Sequence, residues 1–416
     1  MFQAITSFRA LLGAVALLLA GNGLLATLLA LRANAAGFAL EITGLVLAFY
    51  HLGFILGSLQ AGRFIARAGH IRAFAAFAAI ASSAALAHVL VVTPPAWMAL
   101  RFLSGAAMAG LFMVTESWLN ERASGALRGQ LLSAYMIVNL GGVAIGQLLL
   151  SGGDPLGFEL FALASILVSL ALVPVALTRS QAPELPQAHP MNLQALYAKS
   201  PLGLIACAAS GVVMGAFWSM APIFAQSIGY GTRGVAWFMT AAILGGMVLQ
   251  WPVGRLSDRI DRRHVIAGTS LAAAMAAVAL GQFAAMAPWL AWALVALFGG
   301  LVYPLYSLAV AHTNDFVEHR QFVAAGSALL LVYGCGAAAG PMLAGAAMAQ
   351  LSASGLFHLI AATLLAIALF AAWRTTRRAA PPAEERDLLV LLPRTTPVIV
   401  ELDPRASEAE APPPAP

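Results

Sequence analysis

The stretch Gly254-Arg255-Leu256-Ser257-Asp258-Arg259-Ile260-Asp261-Arg262-Arg263 determines how the rest of the chain is interpreted. It places four arginines and two aspartates within ten residues, in a chain of which only 9% is charged. Long apolar runs flank it on both sides. A related stretch begins at Gly62, where Gly62, Arg63 and Arg67 repeat the spacing of Gly254, Arg255 and Arg259. This repetition predicts a duplicated chain with one basic connection in each half.

The composition predicts that lipid surrounds most of this protein. The 416 residues are 61% hydrophobic, and the mean hydropathy is +0.86. Soluble domains carry about 25% charged residues, so 9% cannot cover a water-facing surface. A spanning helix needs about 20 mostly apolar residues. Twelve segments qualify, at about 10–31, 41–61, 73–92, 96–119, 130–151, 157–177, 201–224, 235–253, 265–286, 289–311, 321–348 and 354–373.

These segments predict an all-α membrane protein of twelve transmembrane helices in two six-helix halves. The runs are too long and too uniformly apolar for barrel strands. We expect an N-terminal half at 1–177, a cytoplasmic linker at 178–200, a C-terminal half at 201–373 and a disordered cytoplasmic tail at 374–416. The linker is proline-rich, and the tail is rich in Pro, Ala and acidic residues.

The basic residues predict the orientation. Nearly all arginines fall in the connections on one side of the predicted membrane, which the positive-inside rule assigns to the cytoplasm. Both termini are then cytoplasmic, and the protein lies in the inner (plasma) membrane. This distribution also excludes a nucleic-acid-binding stripe, because the charges mark one face of a membrane.

The duplication extends into the helices. Gly142-x-x-x-Gly146 in the fifth segment is echoed by Gly336-x-x-x-Gly340-Pro341 in the eleventh. Such glycine patterns let helices pack closely. Six helices per half give both halves the same orientation, a recurrent plan of transporters in which substrate binds between the halves near mid-membrane.

These residues resemble the major facilitator superfamily of secondary transporters over about 10–373. Gly254 to Arg263 is similar to that family's signature between helices two and three, although Asp261 replaces the second glycine and the signature is better preserved in the second half. Arg101-x-x-x-Gly105 resembles the family's arginine motif in helix four. Within the superfamily, the chain resembles the YcaD-like branch, on the pairs and triplets Glu116-Ser117, Arg128-Gly129, Gln250-Trp251-Pro252 and Tyr303-Pro304.

Polar and aromatic side chains inside the spans are candidates for the transport path and its coupling. We select Asn22, Arg101, Glu116, Asn139, Trp218 and Tyr303. A charge within a span is expensive and is a functional candidate by default. Arg101 holds a hydrogen-bond network, binds an anionic group or assists proton coupling. The alternative is that its side chain snorkels to the outer surface. Glu116 either carries a proton or pairs with an arginine of an inner loop.

The basic connections are candidates for a cytoplasmic gate, which is the role that the resemblance implies for them. The alternative is that their arginines only set topology. Asp258 is the main gating candidate, paired with Arg259 or Arg262, and Ala66 in the first half leaves that side without the equivalent acid. The predicted gate residues are Gly62, Arg63, Arg67, Gly69, Glu121, Arg128, Gly254, Arg255, Asp258, Arg259 and Arg262.

The predicted function is a secondary active transporter of a small organic solute that works by alternating access, with proton coupling left open. The alternative is a membrane sensor or scaffold that keeps the fold without transport. The sequence contains no ATP-binding loop, no catalytic cluster and no metal-ligand spacing, so we predict neither an enzyme nor a cofactor or metal site. The expected partners are a small-molecule substrate, protons and the lipid bilayer. The expected state is a monomer.

Overall fold

The computed structural model describes residues 2–123, 127–177, 190–377, 382, 386–403 and 405. Within these residues it contains twelve helical spans and no strand. The spans are α1 Phe8–Ala35, α2 Leu40–Ala68, α3 His70–Leu90, α4 Pro94–Glu121, α5 Leu127–Gly152, α6 Glu159–Ala176, α7 Pro201–Ser227, α8 Thr232–Arg259, α9 Arg262–Phe283, α10 Pro288–Asn314, α11 His319–Leu351 and α12 Gly355–Thr375. All twelve predicted segments are confirmed.

The two basic stretches lie largely on helix ends, and this corrects their assignment to loops. Span α2 continues through the first stretch to Ala68, and Gly69 ends it with a positive φ of 82°. Span α8 likewise continues to Arg259. The next helix then starts at once, because the Asp261 side chain accepts a hydrogen bond from the Arg263 backbone N–H and caps α9. The gate candidates therefore sit on rigid helix termini.

The two halves repeat one packing arrangement. In the first, α5 lies so close to α1 that a Cβ on Gly146 would be 2.3 Å from the Ala20 carbonyl oxygen. In the second, α11 lies equally close to α7, and a Cβ on Gly340 would be 2.3 Å from the Val212 oxygen. Gly142 against Ala16 and Gly336 against Ala208 extend the same two contacts. The glycines thus allow backbone-to-backbone packing at equivalent positions.

The halves meet tightly at one end of the helices. A Cβ on Gly44 of α2 would be 2.2 Å from the Pro341 carbonyl oxygen of α11. Nearby, the Asn34 amide nitrogen donates to Gln226 Oε1 across the halves at 2.8 Å. We call this the closed end, and we call the end that carries Gly62–Gly69 and Gly254–Arg262 the basic end. These contacts join the two halves at the closed end.

Span α10 is interrupted. Its first helix ends at Val302 and its second begins at Leu305, with Tyr303 and Pro304 at the junction. Proline lacks the backbone N–H and disrupts the helix here, as expected from its position in the sequence.

The described part of the linker contains a helix, and the described part of the tail is packed against the bundle, which corrects the expectation of disorder there. Residues 178–189 of the linker lie outside the described part, but Leu193–Lys199 forms a short helix capped by Asn192. The tail was expected to be disordered throughout 374–416. Its described residues 386–403 and 405, called here the C-terminal segment, instead return to the basic end and pack inside it. Apolar residues drive this burial: Leu392, Val398, Ile399, Val400 and Leu402 are all 5% exposed or less.

Candidate functional site

A cavity of about 1090 Å³ lies between the two halves. Its deep part is lined by Tyr50, His51 and Asn139 from the first half and by Trp218 and Tyr333 from the second. From there it extends along α2 toward the basic end, where the C-terminal segment forms part of the wall. Aromatic walls with a few polar groups are typical of sites for small organic molecules.

Two of the predicted path residues, Asn139 on α5 and Trp218 on α7, line this cavity directly. The Asn139 amide also hydrogen-bonds with Tyr135 of the same helix. The pair places an amide and an indole on opposite halves. A solute between them could contact both halves at once, which is what coupling of binding to a rocking motion requires.

Asn22 and Arg101 both contact Tyr50, which lines the cavity. The Asn22 side chain hydrogen-bonds with Tyr50. The Arg101 guanidinium lies 4.3 Å from the centroid of the Tyr50 ring and is only 4% exposed. Among the described residues, its Nε and Nη1 atoms have no hydrogen-bond partner. This side chain therefore points into the first half and does not reach its surface, and its cation stacks on the aromatic ring that faces the cavity.

Glu116 is fully buried on α4. The Tyr135 hydroxyl donates to one carboxylate oxygen at 2.7 Å, and the Thr396 hydroxyl donates to the other. The Thr396 backbone N–H also hydrogen-bonds to this carboxyl group. The partners of Glu116 in the described chain are thus hydroxyls and a backbone N–H, not the inner-loop arginine that we considered as one alternative. A buried carboxyl group with hydroxyl partners is chemically suited to gain and lose a proton.

Tyr303 is also buried, at the break in α10. The Arg394 guanidinium of the C-terminal segment lies 5.0 Å from its ring centroid and 5.6 Å from that of Tyr333. Two predicted path residues, Glu116 and Tyr303, therefore contact the C-terminal segment from opposite halves.

The gate candidates of the first half divide between the cavity and the surface. Gly62, Arg63 and Gly69 line the cavity where it reaches the basic end. Arg63 donates to Gln60 of its own helix at 3.2 Å, while Arg67 and Glu121 are exposed. Arg128 donates to the Ala123 carbonyl oxygen at 3.2 Å. These bonds are local to their own helices or connections. The structure therefore gathers Gly62, Arg63 and Gly69 on the cavity wall and leaves Arg67 and Glu121 at the surface.

The gate candidates of the second half divide into two groups. Arg255 stacks over the exposed Trp251 ring at 3.8 Å, and Arg259 is exposed. Asp258, expected to pair with Arg259 or Arg262, accepts the Leu389 backbone N–H at 2.8 Å, and its charge also acts on Arg262. The C-terminal segment lies against α8 here. Gly254 packs there too, since a Cβ on it would be 3.3 Å from Leu389 Cδ2.

Arg262 forms a buried ion pair that the sequence did not assign. Its Nε lies 2.9 Å from Asp315 Oδ2, with side-chain exposures of 1% and 3%. Burial raises the pKa of the Asp315 carboxyl to about 6, and the nearby Arg262 cation opposes that rise. The Arg262 guanidinium also donates to the Asp387 carbonyl oxygen. The pair joins the connection after α8 to the end of α10, and the C-terminal segment covers it.

The residues predicted from the sequence do not include Tyr333, Arg394 or Thr396, which line the cavity or contact Tyr303 and Glu116. The available signals were weak. The tail contains apolar runs, Leu388–Leu392 and Val398–Val400, within a stretch of proline and acidic residues. Such runs indicate burial without identifying the surface that covers them.

The family model described as Major Facilitator Superfamily matches residues 11–302 and 203–402. The chain is 32% identical over 323 residues to an uncharacterized MFS-type transporter of Enterobacter sp. (strain 638), covering 76% of this chain and 82% of that protein. It is 30% identical over 320 residues to the uncharacterized MFS-type transporter YcaD of Salmonella newport (strain SL254), with the same coverage of 76% and 82%.

Solved transporter structures share the fold. A bacterial homolog of the human lysosomal transporter Spinster, in an inward-facing and occupied conformation, superimposes with a TM-score of 0.71 at 15% identity, covering 92% of this chain and 98% of that one. A D-xylose-proton symporter superimposes with a TM-score of 0.68 at 15% identity, covering 93% and 100%. At these identities the likeness concerns the fold alone.

Proposed function

This chain belongs to the major facilitator superfamily, and we propose that it is a secondary transporter that moves a small organic solute across the inner membrane by alternating access. The observation that carries the proposal is the cavity of about 1090 Å³ between the halves, with Asn139 and Trp218 on opposite walls. A solute held by both halves can be carried from one side to the other as the halves rock.

We assign the basic end to the cytoplasm on the strength of its arginines. The cavity then faces inward, because α2 and α11 are in close contact at the closed end, where Gly44 meets Pro341. Both termini are cytoplasmic in this arrangement. The gate residues Asp258 and Arg262 act on the side from which the solute enters or leaves the cell interior.

We further propose that Glu116 is the proton-coupling group and that Arg101 organises the cavity wall. The support for Glu116 is its complete burial and its two hydroxyl partners, Tyr135 and Thr396. The support for Arg101 is its stacking on Tyr50 with two nitrogen atoms unpartnered in the described chain. An incoming polar group that displaced or polarised Tyr50 would change its cation–π interaction with the Arg101 guanidinium.

Reconstituted protein tests this function. Liposomes containing the full chain are challenged with radiolabelled monosaccharides, nucleosides and amino acids, with and without an inward pH gradient, beside empty liposomes. We expect accumulation of at least one solute above the empty liposomes. Absence of uptake and of exchange for every solute class would contradict transport of these solutes.

Glu116→Gln separates coupling from binding. A glutamine keeps the size and hydrogen-bonding capacity of the side chain but cannot release a proton. We expect uptake driven by the pH gradient to fall to the level of empty liposomes, while solute exchange without a gradient continues. Exposed Glu159→Gln, in the same half, is the matched control and should leave both unchanged. Gradient-driven uptake that survives in Glu116→Gln would remove Glu116 from the coupling role.

One observation favours the second candidate, a sensor or scaffold without transport: the C-terminal segment occupies the basic end of the path. A protein that never released this segment would hold the fold in one state. Solute exchange in the full chain distinguishes the two, because a scaffold exchanges nothing.

A further inference from the structure

The C-terminal segment crosses from one half of the protein to the other. It starts on the second half, where Asp258 accepts the Leu389 N–H at 2.8 Å and the Leu392 N–H reaches the Ser307 hydroxyl at 3.3 Å. It then crosses to α4 of the first half, where Asn120 Nδ2 donates to the Val398 carbonyl oxygen at 2.6 Å.

From α4 the segment returns to the second half and closes on itself. Val400 packs on Gly326 of α11, where a Cβ would lie 2.7 Å from Val400 Cγ1. Arg405 then donates to the Leu388 carbonyl oxygen at 3.0 Å. The result is a compact loop that is buried between the halves.

This position conflicts with closure of the basic end. When a transporter of this plan turns outward, the ends of its two halves must approach each other on the inner side. The segment lies in that space, with α4 on one side and α10 and α11 on the other. A single extended chain is about 5 Å across, and packed interiors leave no room for it once the helices meet. The segment must therefore leave before the basic end can close.

We propose that the C-terminal segment is an autoinhibitory wedge that holds the protein open at the basic end and is released for transport. The proposal rests on the transport function proposed above. The contacts are suited to reversible binding. The segment is tethered to α12, which gives it a high effective concentration. It is held by a limited set of hydrogen bonds and apolar side chains. Whatever releases it shifts the population toward states that can close.

The wedge also covers the groups that the transport cycle uses. Thr396 hydrogen-bonds to Glu116, and Arg394 lies between the rings of Tyr303 and Tyr333. While the segment is bound, the Thr396 hydroxyl contacts Glu116 in place of solvent. The Arg394 guanidinium then occupies the space at the two tyrosine rings. Release of one segment therefore frees the carboxyl group, the aromatic pair and the space for closure together.

Disulfide cross-linking tests the docked position. In a Cys207→Ser/Cys335→Ser background, Ser307→Cys and Leu392→Cys are combined, and a protease site is inserted between Arg377 and Arg386. After mild oxidation and cleavage, we expect the tail to remain covalently attached in membranes. Leu388→Cys with Ser307→Cys is the matched control, since Leu388 is 72% exposed. Equal cross-linking in both pairs, or none in either, would overturn the docked position.

Distance measurements test the wedge itself. Spin labels on Arg67→Cys and Arg259→Cys, both exposed at the basic end of different halves, report closure by pulsed electron paramagnetic resonance. We expect one long distance in the full chain and an added shorter population in a chain that stops after Arg377. A chain that stops after Arg405 keeps every described contact and should match the full chain. Identical distributions in all three would overturn the wedge.

A point variant in the full chain separates release from truncation. Ile399 is completely buried, so Ile399→Asp places a carboxylate where it cannot be hydrated and should expel the segment. Leu388→Asp, at an exposed position, is the control. We expect the shorter distance only in Ile399→Asp, and its absence would contradict the proposal. None of these readouts requires solute flux, so they can succeed even if the proposed transport fails.

Discussion

At the residue scale, the buried pair of Arg262 and Asp315 connects stability to pH. Burial raises the Asp315 pKa from its ordinary value of 3.8 to about 6, despite the Arg262 cation 2.9 Å away. The folded protein thus binds this proton more tightly than the unfolded chain does. The stabilisation is present at pH below 3.8 and is lost as pH rises through about 6.

Asp315→Asn removes this titration and isolates its effect. Thermal unfolding in detergent should show the unmodified protein losing stability relative to Asp315→Asn as pH rises from about 4 to about 6, with a constant difference above about pH 7. Other carboxyl groups titrate in the same range, but they are common to both proteins. A difference that does not vary across this range would show that the Asp315 pKa is not raised.

At the scale of the helices, Gly141 and Gly146 of α5 distinguish the effect of packing from that of helix propensity. Replacing a glycine inside a helix with alanine ordinarily stabilises it by about 1 kcal/mol. At Gly141 a Cβ has nothing within 4 Å, whereas at Gly146 it would be 2.3 Å from the Ala20 backbone oxygen on α1. Backbone cannot move aside as a flexible side chain can, so the sign of the effect should reverse at Gly146.

We therefore expect Gly146→Ala to destabilise the protein by about 1–3 kcal/mol and Gly141→Ala to be neutral or stabilising. Thermal unfolding of both variants in the same detergent provides the comparison. If Gly146→Ala proved as stable as Gly141→Ala, the close approach of α5 and α1 would not contribute to stability.

At the scale of the whole molecule, alternating access requires the closed end to open. Asn34 and Gln226 hydrogen-bond across it at 2.8 Å. In a protein without Cys207 and Cys335, a short bis-methanethiosulfonate cross-link between Asn34→Cys and Gln226→Cys should hold this end shut and reduce solute uptake to background. Reduction should restore uptake, and each single cysteine variant should be insensitive to the cross-linker. Unimpaired uptake by the cross-linked protein would contradict opening at this position.

Hydropathy and charge determined the architecture without the structure. Each span is predicted locally, because lipid requires about 20 consecutive apolar residues with satisfied backbone groups. The repeated glycines Gly142, Gly146, Gly336 and Gly340 predicted close packing, and the structure identifies α1 and α7 as their partners. Asn139 and Trp218 could be selected as cavity residues because polar and aromatic groups are unusual inside spans.

Only the tertiary structure decided what the basic stretch around Gly254 contacts. Asp258 binds the Leu389 backbone, and Arg262 pairs with Asp315 rather than with a residue of its own stretch. Likewise, Thr396 reaches Glu116 across 280 residues of chain. The tail's average composition predicts disorder, but its burial depends on a complementary surface between two folded halves. That surface does not exist until twelve helices have assembled, so no local pattern in the tail could reveal it.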